Sequence, residues 1–268
     1  MNNKKIICGI TGANGNLGTF LTKSNKFRYI KFTGDIKNKK HINLWLEKNY
    51  FDIIIHLAAI VPTEKVNKNY KLAKKTNIDG TKNLINGILK FKPKLDWFFF
   101  ASTSHVYPFS KKKLHENIKP NPVSLYGKTK LYAEKAVYSL RKKNIKFTIG
   151  RIFSYTSNLQ KESFFLPSVK KKLSLKKEII FKNLNQNRDF IKIHSIVDII
   201  EFLSKKKFNG IINIGSGEKI NLMDIVKKLN KNNCNIVFKN NNEKKSLVAS
   251  IRKLRKLGYS KKNLSEFK

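Results

Sequence analysis

The chain has 268 residues and a formal charge of +40, from 57 basic against 17 acidic residues. That length allows one sizeable core, or a larger domain carrying a smaller one, and no apolar run approaches the ~18 residues that a membrane helix needs. So much charge invites a nucleic-acid reading, yet only six of the basic residues are Arg, and the Lys residues are dispersed, with heavy Asn and Ile use from equally A/T-rich codons; this argues for nucleotide bias over an RNA-binding module, though anions would still be attracted from a distance.

In chain order, Lys4-Lys5 and the short run Ile6 to Ile10 are too short for a signal peptide and read as a first strand, Lys5 to Thr11. A Gly-rich turn and a helix from Asn16 to Lys23 follow, then a strand Tyr29 to Thr33 ending at Gly34-Asp35, and a helix around His41 to Lys48. The run Asp52 to Ala59 is so continuously apolar that it predicts a strand buried on both faces, as in a parallel sheet. Next come a helix from about Tyr70 to Phe91, a strand Trp97 to Ala101, a loop, a helix from about Ser124 to Lys143, and a strand Phe147 to Phe153. This alternation predicts an α/β fold, a Rossmann-like doubly wound parallel sheet with ligands at the carboxyl ends of its strands.

After Ser154 the pattern is less regular. A helix-like Phe164 to Leu173, a stretch Ile211 to Gly215, a helix Met223 to Leu229 and an edge strand Asn235 to Lys239 read as a smaller C-terminal lid. We therefore expect a dinucleotide-binding domain over 1–155 and a substrate-binding lid over 156–268, with 188–215 partly returning to the first domain. Cys8 and Cys234 have no metal-ligand spacing, so no metal is expected, and they fit a reducing cytoplasm.

Three motifs carry the chemistry. Gly12, Gly15 and Gly18 form G-x-x-G-x-x-G directly between strand and helix, where missing side chains let a pyrophosphate reach the helix amides. Tyr126 and Lys130 share one face of a helix start, and a cation beside a phenol, which ordinarily ionises near ~10, favours the phenolate. Thr103, at the end of the preceding strand, supplies a hydroxyl for a substrate oxygen.

With these residues the chain resembles the extended short-chain dehydrogenase/reductase family, in its nucleotide-sugar epimerase, dehydratase and reductase branch. The resemblance also rests on His56-Leu57-Ala58-Ala59, Asn77-Ile78-Asp79-Gly80-Thr81, Ser102 to Tyr107, Arg188-Asp189-Phe190-Ile191, Asn213 to Gly217 and Leu257-Gly258-Tyr259. It implies Thr103, Tyr126 and Lys130 as the catalytic triad, with Lys130 also binding the nicotinamide ribose. Gly12, Asn14, Gly15, Asn16, Leu17, Gly18, Asp35, Ile36, Leu57, Ala58 and Ala59 would line the cofactor. Ser104, Ser154 and Arg188 would meet the substrate, a guanidinium suiting its diphosphate or ribose. Asn77 takes a structural role between helix and strand, and a homodimer through the helices after Tyr70 and Ser124 is implied.

Departures narrow the reaction. The family's dehydratases carry Asp-Glu after the triad Thr, where this chain has Ser104 and His105. The threonine instead resembles the 4-keto-6-deoxysugar reductases, such as the dTDP-4-dehydrorhamnose reductases. His105 stands where the GDP-fucose-synthase-like enzymes carry a cysteine, as an acid/base or a substrate contact. Asp35 lies at the distance of an NAD-type ribose acid, but Gly34-Asp35-Ile36 also looks like the family's later adenine-contacting segment, with one strand-helix unit lost; Arg28, Lys31 or Lys37 could then accept a 2′-phosphate, so NADP is favoured over NAD. The expectation is a cytoplasmic NAD(P)-dependent reductase of an NDP-4-keto-6-deoxyhexose. A 4-epimerase retaining NAD is the alternative, and a non-catalytic RNA-binding or cofactor-sensing protein the remote one.

Overall fold

The computed structural model describes residues 5–61, 63–175, 178–239 and 245–267. Strand β1 (Ile7–Thr11) runs into α1 (Asn16–Lys23), β2 (Arg28–Lys31), α2 (Lys39–Lys48) and β3 (Ile53–His56). Helix α2 starts where the Asn38 side chain accepts the Lys40 and His41 amides, satisfying donors that have no partner within the helix. Then follow α3 (Thr63–Lys68), α4 (Tyr70–Lys74), a π-helical turn Lys75–Asp79 and α5 (Gly80–Phe91). Strand β4 (Trp97–Thr103), α6 (Leu125–Val137) and β5 (Lys146–Ile152) complete the first half.

Six parallel strands form the main sheet in the order β10-β5-β4-β3-β1-β2, with β10 (Gly210–Ile214) returning late in the chain to pair with β5. The order reverses between β1 and β3, which opens a crevice at their carboxyl ends. Strand β2 passes through Gly34-Asp35 straight into α2 and is the sheet edge, so among the described residues the doubly wound order is one strand-helix unit short.

Side-chain alternation explains why the central strands read as unbroken apolar runs. Ile53, Ile55, Trp97 and Phe99 pack on one face with α1, whereas Ile54, Phe98 and Phe100 pack on the other with α2, α5 and α6. Each such side chain contributes about 1.5–3 kcal/mol by leaving water.

The second half contributes β6 (Ser154–Thr156), α7 (Phe165–Ser174), β7 (Ile179–Lys182), β8 (Gln186–Arg188), β9 (Phe190–Lys192) and α8 (Ile193–Lys205). After β10 come β11 (Ile220–Asn221), α9 (Leu222–Leu229), β12 (Ile236–Lys239), β13 (Lys245–Leu247) and α10 (Arg252–Lys256). Val169, Leu173, Phe181, Ile225 and Val226 form a separate small core for α7, α9 and β7. Strand β12 pairs with β7 alone, as an edge strand should; the loop expected after it lies at 240–244, outside the described residues.

Three expectations change in detail. The strand from Asp52 ends at His56, because the Leu57 amide bonds the Thr11 carbonyl and the Ile60 amide bonds the Asn77 side chain, which turns 57–61 out of the sheet. The helix from Tyr70 is interrupted by its π turn, and the helix after Ser124 tightens into a 3-10 turn over Tyr138–Lys143. Helix α8 was not anticipated, although Ile193, Ile196, Val197 and Ile200 recur at helical spacing and pack beside α1. No described helix is long and apolar enough to cross a membrane.

Candidate active site

The turn between β1 and α1 is shaped by what glycine lacks. Gly12 sits at φ +74°, where a Cβ would lie 2.7 Å from the Ala58 amide nitrogen, and a Cβ on Gly18 would lie 2.2 Å from the Gly12 carbonyl oxygen. Strand, turn and helix are thus pressed together, and helix α1 begins at Gly15 with no side chain capping its amides. Such a helix start is a ready anion site. The cradle fits a dinucleotide pyrophosphate.

On the neighbouring strand ends, β4 delivers Thr103, while Ser124 caps α6 by accepting the Gly127 amide at 3.0 Å, which sets Tyr126 in the first helical turn and Lys130 one turn on. The Thr103 and Tyr126 side chains line one cavity wall close enough for the Thr103 hydroxyl to act on the phenol. Burial holds Tyr126 above its ordinary range, the neighbouring Tyr155 adds to this, and the Thr103 hydroxyl opposes it. Lys130 is 2% exposed, with its ammonium 4.0 Å from the centre of the Phe100 ring. Burial pushes it down to about 7, partly offset by Glu134. In the protein by itself enclosure outweighs the contribution of Thr103, which favours the phenolate.

His105 turns its Nδ1 to the Ser124 hydroxyl at 2.9 Å, and its ring stands edge-on to Tyr126 with centres 6.0 Å apart. Burial, with Arg188 nearby, pushes it down to about 4, so it is neutral at physiological pH. Arg188 bonds the Asn187 carbonyl and the Gln186 side chain, pairs with no carboxylate among the described residues, and is lowered to about 10 by burial. An enclosed guanidinium without a counter-charge is suited to a phosphate.

One cavity of about 910 Å³ is lined by Gly12, Asn14, Gly15, Asn16, Leu17, Gly18, Asp35, Ile36, Leu57, Ala58, Ala59, Thr103, Ser104, His105, Tyr126, Lys130, Ser154 and Arg188, whereas Asn77, Arg28, Lys31 and Lys37 lie outside its lining. Asp35 is committed locally, one oxygen accepting the Lys37 amide at 2.9 Å and the other lying 3.2 Å from its ammonium; the first of these contacts is the main reason its pKa is lowered. Arg28 and Lys31 border a second groove of about 650 Å³, which shares Ala13 and Asn14 with the main cavity. Sequence reasoning missed Tyr155, Gln160, Phe165 and Phe190 in the lining. For Tyr155 the signal was its place next to Ser154, directly after a strand end; the others come from the irregular half. No group of described His, Cys, Asp or Glu residues could hold a metal ion.

Residues 9–215 match the model of the NAD dependent epimerase/dehydratase family. The chain belongs to that family. This member is accordingly an enzyme of the extended short-chain dehydrogenase/reductase type. It is 31% identical over 219 residues to a GDP-6-deoxy-D-talose 4-dehydrogenase of Aggregatibacter actinomycetemcomitans, covering 78% of this chain and 74% of that protein. It is 33% identical over 181 residues to an uncharacterized UDP-glucose epimerase of Bacillus subtilis, covering 65% of this chain and 56% of that one. Among solved structures, a dTDP-4-dehydrorhamnose reductase from Clostridium acetobutylicum has the same fold, with a TM-score of 0.81 at 20% identity over 96% of this chain and 95% of its own.

Proposed function

We propose that this family member is an NAD(P)-dependent nucleotide-sugar oxidoreductase that reduces an NDP-4-keto-6-deoxyhexose. The observation that carries the reading is the placement of Thr103, Tyr126 and, one helical turn on, Lys130 on the same cavity as the glycine cradle and Arg188. The likeness to a protein named as a 4-dehydrogenase of a GDP-6-deoxy sugar supports the choice of sugar and carbon.

A nicotinamide cofactor held at Gly12, Gly15 and Gly18 would supply the hydride for the keto carbon. Tyr126, kept protonated by burial, gives its proton to the oxygen that gains charge, so C=O becomes CH–OH with one hydride and one proton added. Thr103 holds that oxygen, and Lys130 supplies positive charge and binds the nicotinamide ribose. Arg188 pairs with the substrate diphosphate, while His105 and Ser154 meet the sugar. Asp35, already engaged by Lys37, is poorly placed to select a ribose 2′-hydroxyl, and Arg28 and Lys31 share a groove with Asn14, so NADPH is the preferred cofactor. Two free thiols, one buried, accord with a reducing cytoplasm.

A 4-epimerase that retains NAD is the second reading, favoured by the likeness to the Bacillus protein. Purified protein incubated with NADPH or NADH and a panel of NDP-4-keto-6-deoxyhexoses and NDP-hexoses separates the two. Stoichiometric loss of nicotinamide absorbance with a keto sugar supports the reductase, sugar conversion without net loss supports the epimerase, and no conversion of any sugar overturns both.

A further inference from the structure

Beneath the cavity lies a buried polar chain that the reaction does not use directly. His56, at the end of β3, is 1% exposed between two threonines: Thr11 Oγ1 is 2.6 Å from its Nδ1 and Thr81 Oγ1 is 2.9 Å from its Nε2. The Thr81 hydroxyl spends its one proton on the Asn77 carbonyl at 2.7 Å, so it can only accept from the ring. The ring proton therefore sits on Nε2, and Nδ1 accepts from Thr11, whose oxygen in turn accepts the Ala58 amide at 3.3 Å. Burial pushes His56 down to about 3, and the charge of Lys130 acts the same way, so the ring carries a single proton.

The chain continues through the π turn. Asn77 accepts the Ile60 amide at 2.7 Å and donates to the Ile60 carbonyl at 3.3 Å and to Thr129 Oγ1 at 3.0 Å; Thr129 then donates to the carbonyl of Tyr126 at 2.8 Å. All of these side chains are fully buried. Two surfaces of the site are thereby tied together. One is the segment Leu57 to Ala59, pressed so closely on Gly12 that a Cβ there would reach Ala58. The other is the first turn of α6, which carries Tyr126.

We propose that His56 is a positioning residue: as a neutral imidazole with its proton on Nε2, it locks the cofactor-facing turn to the glycine loop and, through Thr81, Asn77 and Thr129, to the helix that carries Tyr126. The order of donors leaves no other arrangement with every group satisfied, and a buried group left unsatisfied is costly. Asn77 lies within the π turn Lys75–Asp79, and such turns recur at functional sites.

The test uses the full chain with histidine labelled by nitrogen-15. Of the five histidines, the one whose ring signals vanish in His56→Gln should be a neutral Nε2–H ring that does not titrate between pH 8 and 5. A proton on Nδ1, or a midpoint in the ordinary imidazole range, overturns the proposal. The kinetic arm rests on the hydride-transfer reading. Thr129→Val fills the same space but removes the hydroxyl, and should lower kcat about tenfold with KM for the cofactor within about twofold, while Thr129→Ser restores kcat. Equal kcat in the Val variant and the parent overturns the proposal. A protein without turnover whose His56 is a non-titrating Nε2–H ring would fail the functional reading and uphold the relay.

Discussion

Arg151 closes a bidentate ion pair on Glu134, Nε to Oε1 at 3.1 Å and Nη2 to Oε2 at 2.8 Å, with the two side chains 2% and 3% exposed. Strand β5 is joined in this way to α6, one turn beyond Lys130, and the Ser102 hydroxyl from β4 donates to the same carboxylate. Removing one member of a buried pair leaves the other uncompensated. Glu134→Gln should therefore destabilise the protein by about 3–5 kcal/mol, read from urea denaturation at pH 7. A loss below about 1 kcal/mol would mean that the pair does not hold the helix to the sheet.

Tyr126→Phe deletes the proton donor but keeps the ring that packs beside His105. Turnover should fall by about 10²- to 10⁴-fold, the range of a lost general acid, while the cofactor dissociation constant measured by fluorescence titration stays within about twofold. Normal turnover would remove Tyr126 from the chemistry.

Two buried imidazoles make the fold acid-sensitive above the carboxylate range. His56 is held down to about 3 and His105 to about 4, against about 6.5 in an unfolded chain. Below about 6.5 the unfolded chain takes up protons that the fold refuses, so stability is full above that pH and falls as pH falls, by about 1.4 kcal/mol per unit for each ring until its folded value is reached. Denaturation midpoints at pH 7, 6 and 5 should decline accordingly. His105→Asn should lose about half of that slope; an unchanged slope would show that His105 is not held neutral.

Gly12→Ala sets a side chain at φ +74°, against the Ala58 amide. Relief requires the turn at Ala58 to move away from the glycine loop. Cofactor affinity should drop by about tenfold or more, measured by titration, with a stability loss of about 1–3 kcal/mol from the backbone strain. Gly15→Ala meets only the Gly12 carbonyl, at 3.2 Å and without a positive φ, and should cost less of both.

The glycine loop, the Tyr126/Lys130 pair and the Ile53 to Ile55 strand were legible because their requirements are local. A positive φ, a four-residue helical spacing and a run buried on both faces each leave a mark within a few residues. The alternation of such marks determined the parallel sheet, and with it the end of the sheet where Thr103 and Gly12 line one cavity. What the amino-acid order could not reveal depends on partners far along the chain. Lys130 is held down to about 7 because strands and helices close over it, not because of any neighbour in sequence. The proton of His56 is assigned by Thr11, 45 residues before it, and Thr81, 25 residues after it. Tyr155 joins the Tyr126 wall because β6 pairs with β9, and Arg188 reaches the cavity, without a carboxylate partner among the described residues, because β8 pairs with β11 and β13. Residue types and spacing determined which groups are present; burial and long-range hydrogen bonds, which exist only once the chain is packed, decided their protonation and their aim.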